Sequence, residues 1–316
     1  MNKLSATRAL RSVSIVEILA WALSALASGA TVAQTIPPPD EKHATHEIGT
    51  CGGVHFEPRL EFCDARDGRI YRKVTIGSQT WMAENLDYGA QVPGSQDQDR
   101  AGLKYCLYDQ KQGCAALYQW AEAVGLDASF NAKVAGLKGK VQGVCPAGWH
   151  VPAAAEWAAL LVYVDREQGK DNEAVSLMAW STNRDFRWKT NTSPDGMLAK
   201  DRYGFAVVPT GDRLLKGTCP DGAPSQAYFC SAHDMAKFWT SDDDPMDPRT
   251  GVNVTFIEDL PHVLISSTWR DALTEAERKS WDALLARKYA EQSELQRTYK
   301  DSQKYQGMAV RCLRDT

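Results

Sequence analysis

Eight cysteines, at Cys51, Cys63, Cys106, Cys114, Cys145, Cys219, Cys230 and Cys312, follow an apolar leader in this 316-residue chain, and none precedes position 51. An even number of thiols behind an export leader is expected to pair, with about a hundred connectivities open on count alone. Metal binding is the competing reading, and it fails on spacing. No C-x-x-C and no H-E-x-x-H pair occurs in the sequence, whereas the common zinc sites take close ligand pairs.

The leader itself is built from Lys3, Arg8 and Arg11, then the uncharged apolar run Ile18 to Ala27, then small residues through Ala30 and Ala33 that offer cleavage sites. This is the pattern of a signal peptide over 1–33, which places the chain in a secreted, periplasmic or cell-surface location. Glu17 at the edge of the run is atypical, and an uncleaved anchor is the alternative, although a stable span calls for about 18 apolar residues. With the leader removed, no stable membrane span is expected. Its loss takes three basic groups and one acidic group from totals of 36 and 40, leaving a net charge of about −6. Nucleic acid is therefore excluded as an expected partner, since no basic stripe is present to hold phosphates.

Residues 34–50, QTIPPPDEKHATHEIGT, are polar and proline-led and read as a linker. His43 and His46 lie in it, more simply as a solvated tether than as a metal site. A small cysteine-bounded segment follows over 51–63, where Gly52 and Gly53 allow a turn and a local Cys51–Cys63 bond would close the loop. The main domain is expected over 64–316. It opens on GRIYRKVTIGSQTWMAENL, whose alternation through Ile70, Val74, Ile76 and Trp81 around Gly77-Ser78 predicts a hairpin. Cys106 and Cys114 stand at the two ends of a turn, and a bond there would contribute about 2.5 kcal/mol through chain entropy. ALYQWAEAVGL carries Leu117, Trp120, Ala121 and Val124 at helical spacing and predicts a core-facing helix; a second is predicted after Pro152, with Trp157, Leu160, Leu161 and Val164 on one face and Gly169 as its stop. The polar stretch 171–201 reads as a surface loop held by Trp180 and Trp188. Short strands are predicted at YGFAVVPTG, AKFWTS, VNVTFI and GMAVRCL. Between the last two, a capping box at Thr274 and Glu277 opens a charged amphipathic stretch that predicts one long helix over about 272–300.

Six stretches taken in order, DARDGRIYRKVTIGSQTWMAENLDY, the cysteine pair before ALYQWAEA, GVCPAGWHVPAAAEW, GFAVVPTGDR, FWTSDD and GMAVRCLRD, resemble the Fibrobacter succinogenes major paralogous domain. The resemblance runs from about Asp64 to Asp315. It implies an exported bacterial protein whose fold is similar to C-type lectin-like domains and to the formylglycine-generating enzyme group. The implied class is α+β: two helices, short antiparallel strands, a long loop region and disulfides, with the helix 272–300 as an insertion that the family pattern lacks. Because the two ends of such a domain meet, the resemblance implies a Cys145–Cys312 bond. Cys219 and Cys230 are then left as a further local pair.

No catalytic residue is assigned. In GVCPAGWHVPAAAEW, His150 has no serine, free thiol or paired carboxylate beside it, and Glu156 falls in a first helical turn where it can cap backbone amides, so the stretch reads as a rigid corner. A formylglycine-generating oxidase is disfavoured because no C-x-x-x-x-C occurs. The preferred function is a non-enzymatic surface or secreted binding protein taking a protein or glycan ligand, with Trp239, Asp242, Asp243 and Asp244 as candidate contacts. Asp242, Asp243, Asp244 and Asp247 could supply oxygen ligands to Ca²⁺, and no other cofactor is expected. The alternative is a structural or adhesive component that docks a partner on the 272–300 helix.

Overall fold

A computed structural model describes residues 48–107, 114–168, 176–179, 188, 201–214, 228–245, 247–257, 263–265 and 303–316. The expected leader, the linker up to residue 47, Trp180, Cys219 and the helix predicted over 272–300 lie outside the described residues.

β1 (Gly49–Cys51) and β2 (Val54–Phe56) form a hairpin turned at Gly52 and Gly53, which take the left-handed φ values of 57° and 85° that such a turn needs. The Cys51–Cys63 disulfide ties this hairpin to β3 (Glu61–Asp64). β3 pairs antiparallel with β4 (Arg69–Ile76), and β4 turns at Gly77 into β5 (Gln79–Met82). The alternation read in the sequence is kept, since Tyr71, Ile76 and Trp81 are buried. A three-stranded sheet follows: β6 (Ala90–Gln91), β7 (Leu103–Cys106) and β8 (Ala116–Leu117).

The first predicted helix shrinks to one turn, α1 (Trp120–Ala123). Ala116 and Leu117, assigned to that helix by periodicity, pair instead with Cys106 and Tyr105 across β7, next to the Cys106–Cys114 disulfide. At the other end Gly125 takes φ 73° and stops it. Beyond β9 (Trp149–His150), α2 (Ala154–Gln168) begins just after Pro152 as predicted and buries Trp157, Leu160, Leu161 and Val164.

β10 (Thr210–Arg213), β11 (Phe229–Ala232), β12 (Met235–Asp243), β13 (Gly251–Ile257) and β14 (Val263–Ile265) form a sheet in the order β11-β10-β12-β13-β14, with β10 parallel to β12. The strand expected within YGFAVVPTG is therefore confined to its last residues. GMAVRCL is likewise mostly irregular, joined to the sheets by the Tyr118–Met308 and Phe238–Ala309 bridges, and only β15 (Leu313–Arg314) is a strand. β15 sits inside the remaining sheet, β3-β4-β5-β15-β9, so the end of the chain is built into the structure. Arg311 is fully buried there, its guanidinium 4.7 Å and 5.3 Å from the Phe205 and Phe238 ring centroids.

Two apolar clusters form the core. Trp157 centres the first, 4.7 Å from Trp81 and 5.4 Å from Phe238; Tyr118, Trp120 and Trp239 belong to the second. The architecture corrects the expected α+β, C-type lectin-like class. Four sheets dominate, and α2 is the one α-helix longer than four residues among the described residues, beside a short 3-10 helix at Ala128–Ala132. Helical periodicity around Trp120 misled because strand pairing at a disulfide-closed turn satisfies the same buried side chains.

Candidate functional site

The corner GVCPAGWHVPAAAEW is structural. Cys145 and Cys312 are bonded with Cα atoms 5.9 Å apart, and both are fully buried. Trp149 stacks on Phe62 at 4.2 Å. His150 is buried with Nδ1 2.7 Å from Asp315 and Nε2 3.0 Å from Glu156, while Glu156 also accepts the Ala153 N–H at 2.9 Å. Burial works to lower the His150 pKa, but the two carboxylates outweigh it and hold the pKa above the usual histidine value. Held between the two carboxylates, the imidazole ties β9, α2 and the C-terminal segment together, with both ring nitrogens engaged. Cys230 is also disulfide-bonded.

The expected ligand contacts lie at the end of β12 and in the acidic turn after it. Trp239 is completely buried and its Nε1–H donates to the Tyr118 carbonyl at 2.7 Å, so it offers no face to a sugar. Asp242 accepts the Ala154 N–H at 2.6 Å, which makes it the anchor of the α2 N-terminus. Asp243 binds the Lys304 ammonium at 2.9 Å and the Ala135 N–H at 2.7 Å. Asp244 is buried, and Asp247 is turned onto the Arg249 N–H and the Thr250 hydroxyl. The carboxylates of Asp242, Asp243 and Asp247 thus hold separate structural contacts. No group of three metal-capable side chains occurs among the described residues.

The structure instead opens a groove that no single stretch of sequence announces. Two clefts, of about 590 and 450 Å³, both border Tyr88 and Gly102. The β3–β4 turn brings Arg66 and Asp67, and the start of β4 brings Arg69; the segment after β5 brings Asp87 and Tyr88; the turn before β7 brings Asp99 and Arg100; and α1 brings Glu122. Two buried phenols fix the wall. Tyr71 Oη accepts the Asp87 N–H at 3.1 Å, and Tyr118 Oη accepts the Tyr88 N–H at 2.9 Å while its hydroxyl donates to the Tyr88 carbonyl at 2.8 Å. Burial pushes both phenols well above their usual pKa, which keeps them protonated.

Gly89 and Gly102 hold the two clefts side by side. Gly89 takes φ 111°, and a Cβ there would meet the Gly102 carbonyl oxygen at 2.7 Å. Ala90 N–H donates to that same carbonyl, and the Gly102 N–H donates to Glu122 at 2.8 Å. Burial raises the Glu122 pKa, opposed by the backbone hydrogen bonds of Gly102 and Leu103. Arg66 grips Asp64 through two nitrogens, at 2.9 and 2.7 Å, and its guanidinium lies 3.8 Å from the Tyr88 ring centroid. The result is a polar groove with fixed charges of both signs and one half-buried aromatic, suited to a hydroxyl-rich ligand more than to an apolar one. The one sequence signal for it was the density of Gly, Asp and Arg in DARDG and LDYGA.

Fold and groove together define a disulfide-bonded, β-rich domain with a polar surface groove. The sequence profile of the Fibrobacter succinogenes major domain matches residues 74–314, and the chain belongs to that family. No curated protein and no solved structure matches it, so the lectin-like fold has no support from a structural relative.

Proposed function

We propose that this chain is an exported, non-enzymatic binding protein that takes a glycan along the Tyr88 groove. The carrying observation is the groove itself, where a half-buried aromatic is set among fixed hydrogen-bond donors and acceptors. Hydroxyl groups of a sugar can both donate to carboxylates and accept from guanidinium and ammonium groups, while its C–H face packs on a ring. Three further features support the reading. Disulfides join Cys51 to Cys63, Cys106 to Cys114 and Cys145 to Cys312, which suits an oxidising compartment. His150 and the described cysteines are committed to structural bonds, so none of them is offered as a base or nucleophile. Among the described residues no helix is long and apolar enough to cross a membrane.

The test is a glycan array followed by calorimetry with the Tyr88→Ala variant. Loss of the ring should weaken binding about tenfold, the equivalent of about 1.4 kcal/mol. Unchanged affinity in Tyr88→Ala, or an array on which the wild-type protein holds no glycan, refutes the proposal.

A further inference from the structure

The larger cleft is lined by two cations, Arg69 and Lys104, and two carboxylates, Asp67 and Asp87, and the unused donors of the two cations point to the kind of sugar it takes. Asp87 lies at its floor, with its side chain about nine-tenths buried. One carboxylate oxygen pairs with Arg69 and the other accepts from the Lys104 ammonium at 2.5 Å. A single buried carboxylate therefore serves two cations. Burial lowers the Lys104 pKa, and repulsion from Arg69 lowers it further, opposed by Asp67. Asp67 and Arg69 both lie at the exposed rim, where solvent screens their charges, and the Asp67 Oδ1 accepts the Arg69 backbone N–H at 3.0 Å.

Donor capacity is also left over. Lys104 donates to the Asp87 carboxylate and to the Asp87 carbonyl at 3.2 Å, which uses two of its three N–H hydrogens. Arg69 spends one terminal nitrogen on Asp87, and its remaining guanidinium N–H groups have no protein partner among the described residues. Both side chains line the cleft beside Tyr88. A planar guanidinium next to an ammonium is a good receptor for a carboxylate, which can take two parallel N–H bonds from the fork.

Resting on the glycan reading above, we infer that the ligand is an acidic glycan, with an anionic substituent seated between Arg69 and Lys104 and a sugar ring against Tyr88. A uronate carboxylate and a sulfate ester share this chemistry. The neighbouring aromatic and the open glycine-lined walls favour a sugar over an acidic peptide.

The experiment compares matched pairs that differ in charge alone. Oligogalacturonate is titrated against its methyl ester, oligomannuronate against its methyl ester, and a sulfated oligosaccharide against its desulfated form, with poly-glutamate as the peptide arm. The wild-type protein should prefer the charged member of at least one pair by tenfold or more, and 0.5 M NaCl should erode that preference. Arg69→Gln, an exposed side chain whose loss leaves the Lys104–Asp87 pair intact, should cut the charged-to-neutral ratio about tenfold at an unchanged melting temperature. Lys104→Met should abolish the ratio, with circular dichroism reporting whether the variant folds. Equal binding of both members in every pair, or a ratio that survives Arg69→Gln, overturns the acidic-glycan inference while leaving the groove reading in place. Tyr88-independent binding, or capture of poly-glutamate in preference to every glycan, overturns both.

Discussion

Loss of the Cys145–Cys312 bond should cost more stability than loss of Cys51–Cys63, by an amount set by chain closure. The two bonds span 167 and 12 positions. A cross-link stabilises chiefly by removing conformations from the unfolded chain, and the effect grows as (3/2)RT times the logarithm of loop size. That gives about 3 kcal/mol for the short loop and about 5 kcal/mol for the long one, a difference of about 2 kcal/mol. Burial works in the same direction, because Cys145 and Cys312 are both fully buried, whereas Cys63 is half-buried. The native arrangement should survive, since the Cys312 carbonyl accepts the Met82 N–H at 3.0 Å and β15 remains held between β5 and β9. The assay is urea unfolding of Cys145→Ala/Cys312→Ala and Cys51→Ala/Cys63→Ala, followed by tryptophan fluorescence and far-ultraviolet circular dichroism, with coincident curves required. Equal losses, or a larger loss from the short loop, would refute closure entropy as the source of the long bond's contribution.

Other contacts give sharper local tests. The folded-state pKa of His150 is raised above the unfolded value of about 6.5, so its contribution is fully present below that pH and is lost as pH rises through the folded pKa. Urea stability should therefore fall from mildly acidic to alkaline pH, and His150→Gln should flatten that slope; an unaltered slope would show that another group sets it. Lys304 and Asp243 form a buried ion pair at 2.9 Å, so Lys304→Met should destabilise by about 3–5 kcal/mol by stranding the carboxylate. Adding Asp243→Asn to that variant should recover part of the loss, and strict additivity in the double-mutant cycle would argue against direct coupling.

The sequence by itself determined what depends on neighbours along the chain. The Cys51–Cys63 and Cys106–Cys114 loops are short enough for closure to follow from spacing, and the Gly77 hairpin and the start of α2 after Pro152 follow from turn residues and periodicity. Cys145–Cys312 needed the family resemblance, because no local rule joins positions 167 apart. Tertiary structure alone decided the rest. β12 runs between the two core clusters, so the adjacent residues Phe238 and Trp239 are buried on opposite faces, and the apparent binding tryptophan became core. The carboxylates that follow it were absorbed by the α2 N-terminus and by Lys304, partners far away in sequence. Arg69, Asp87, Tyr88 and Lys104 meet because buried phenols and the Gly89–Gly102 approach fold three separate segments against one another. A binding groove of this kind is a property of the distances between those segments, and periodicity along any one of them carries no trace of it.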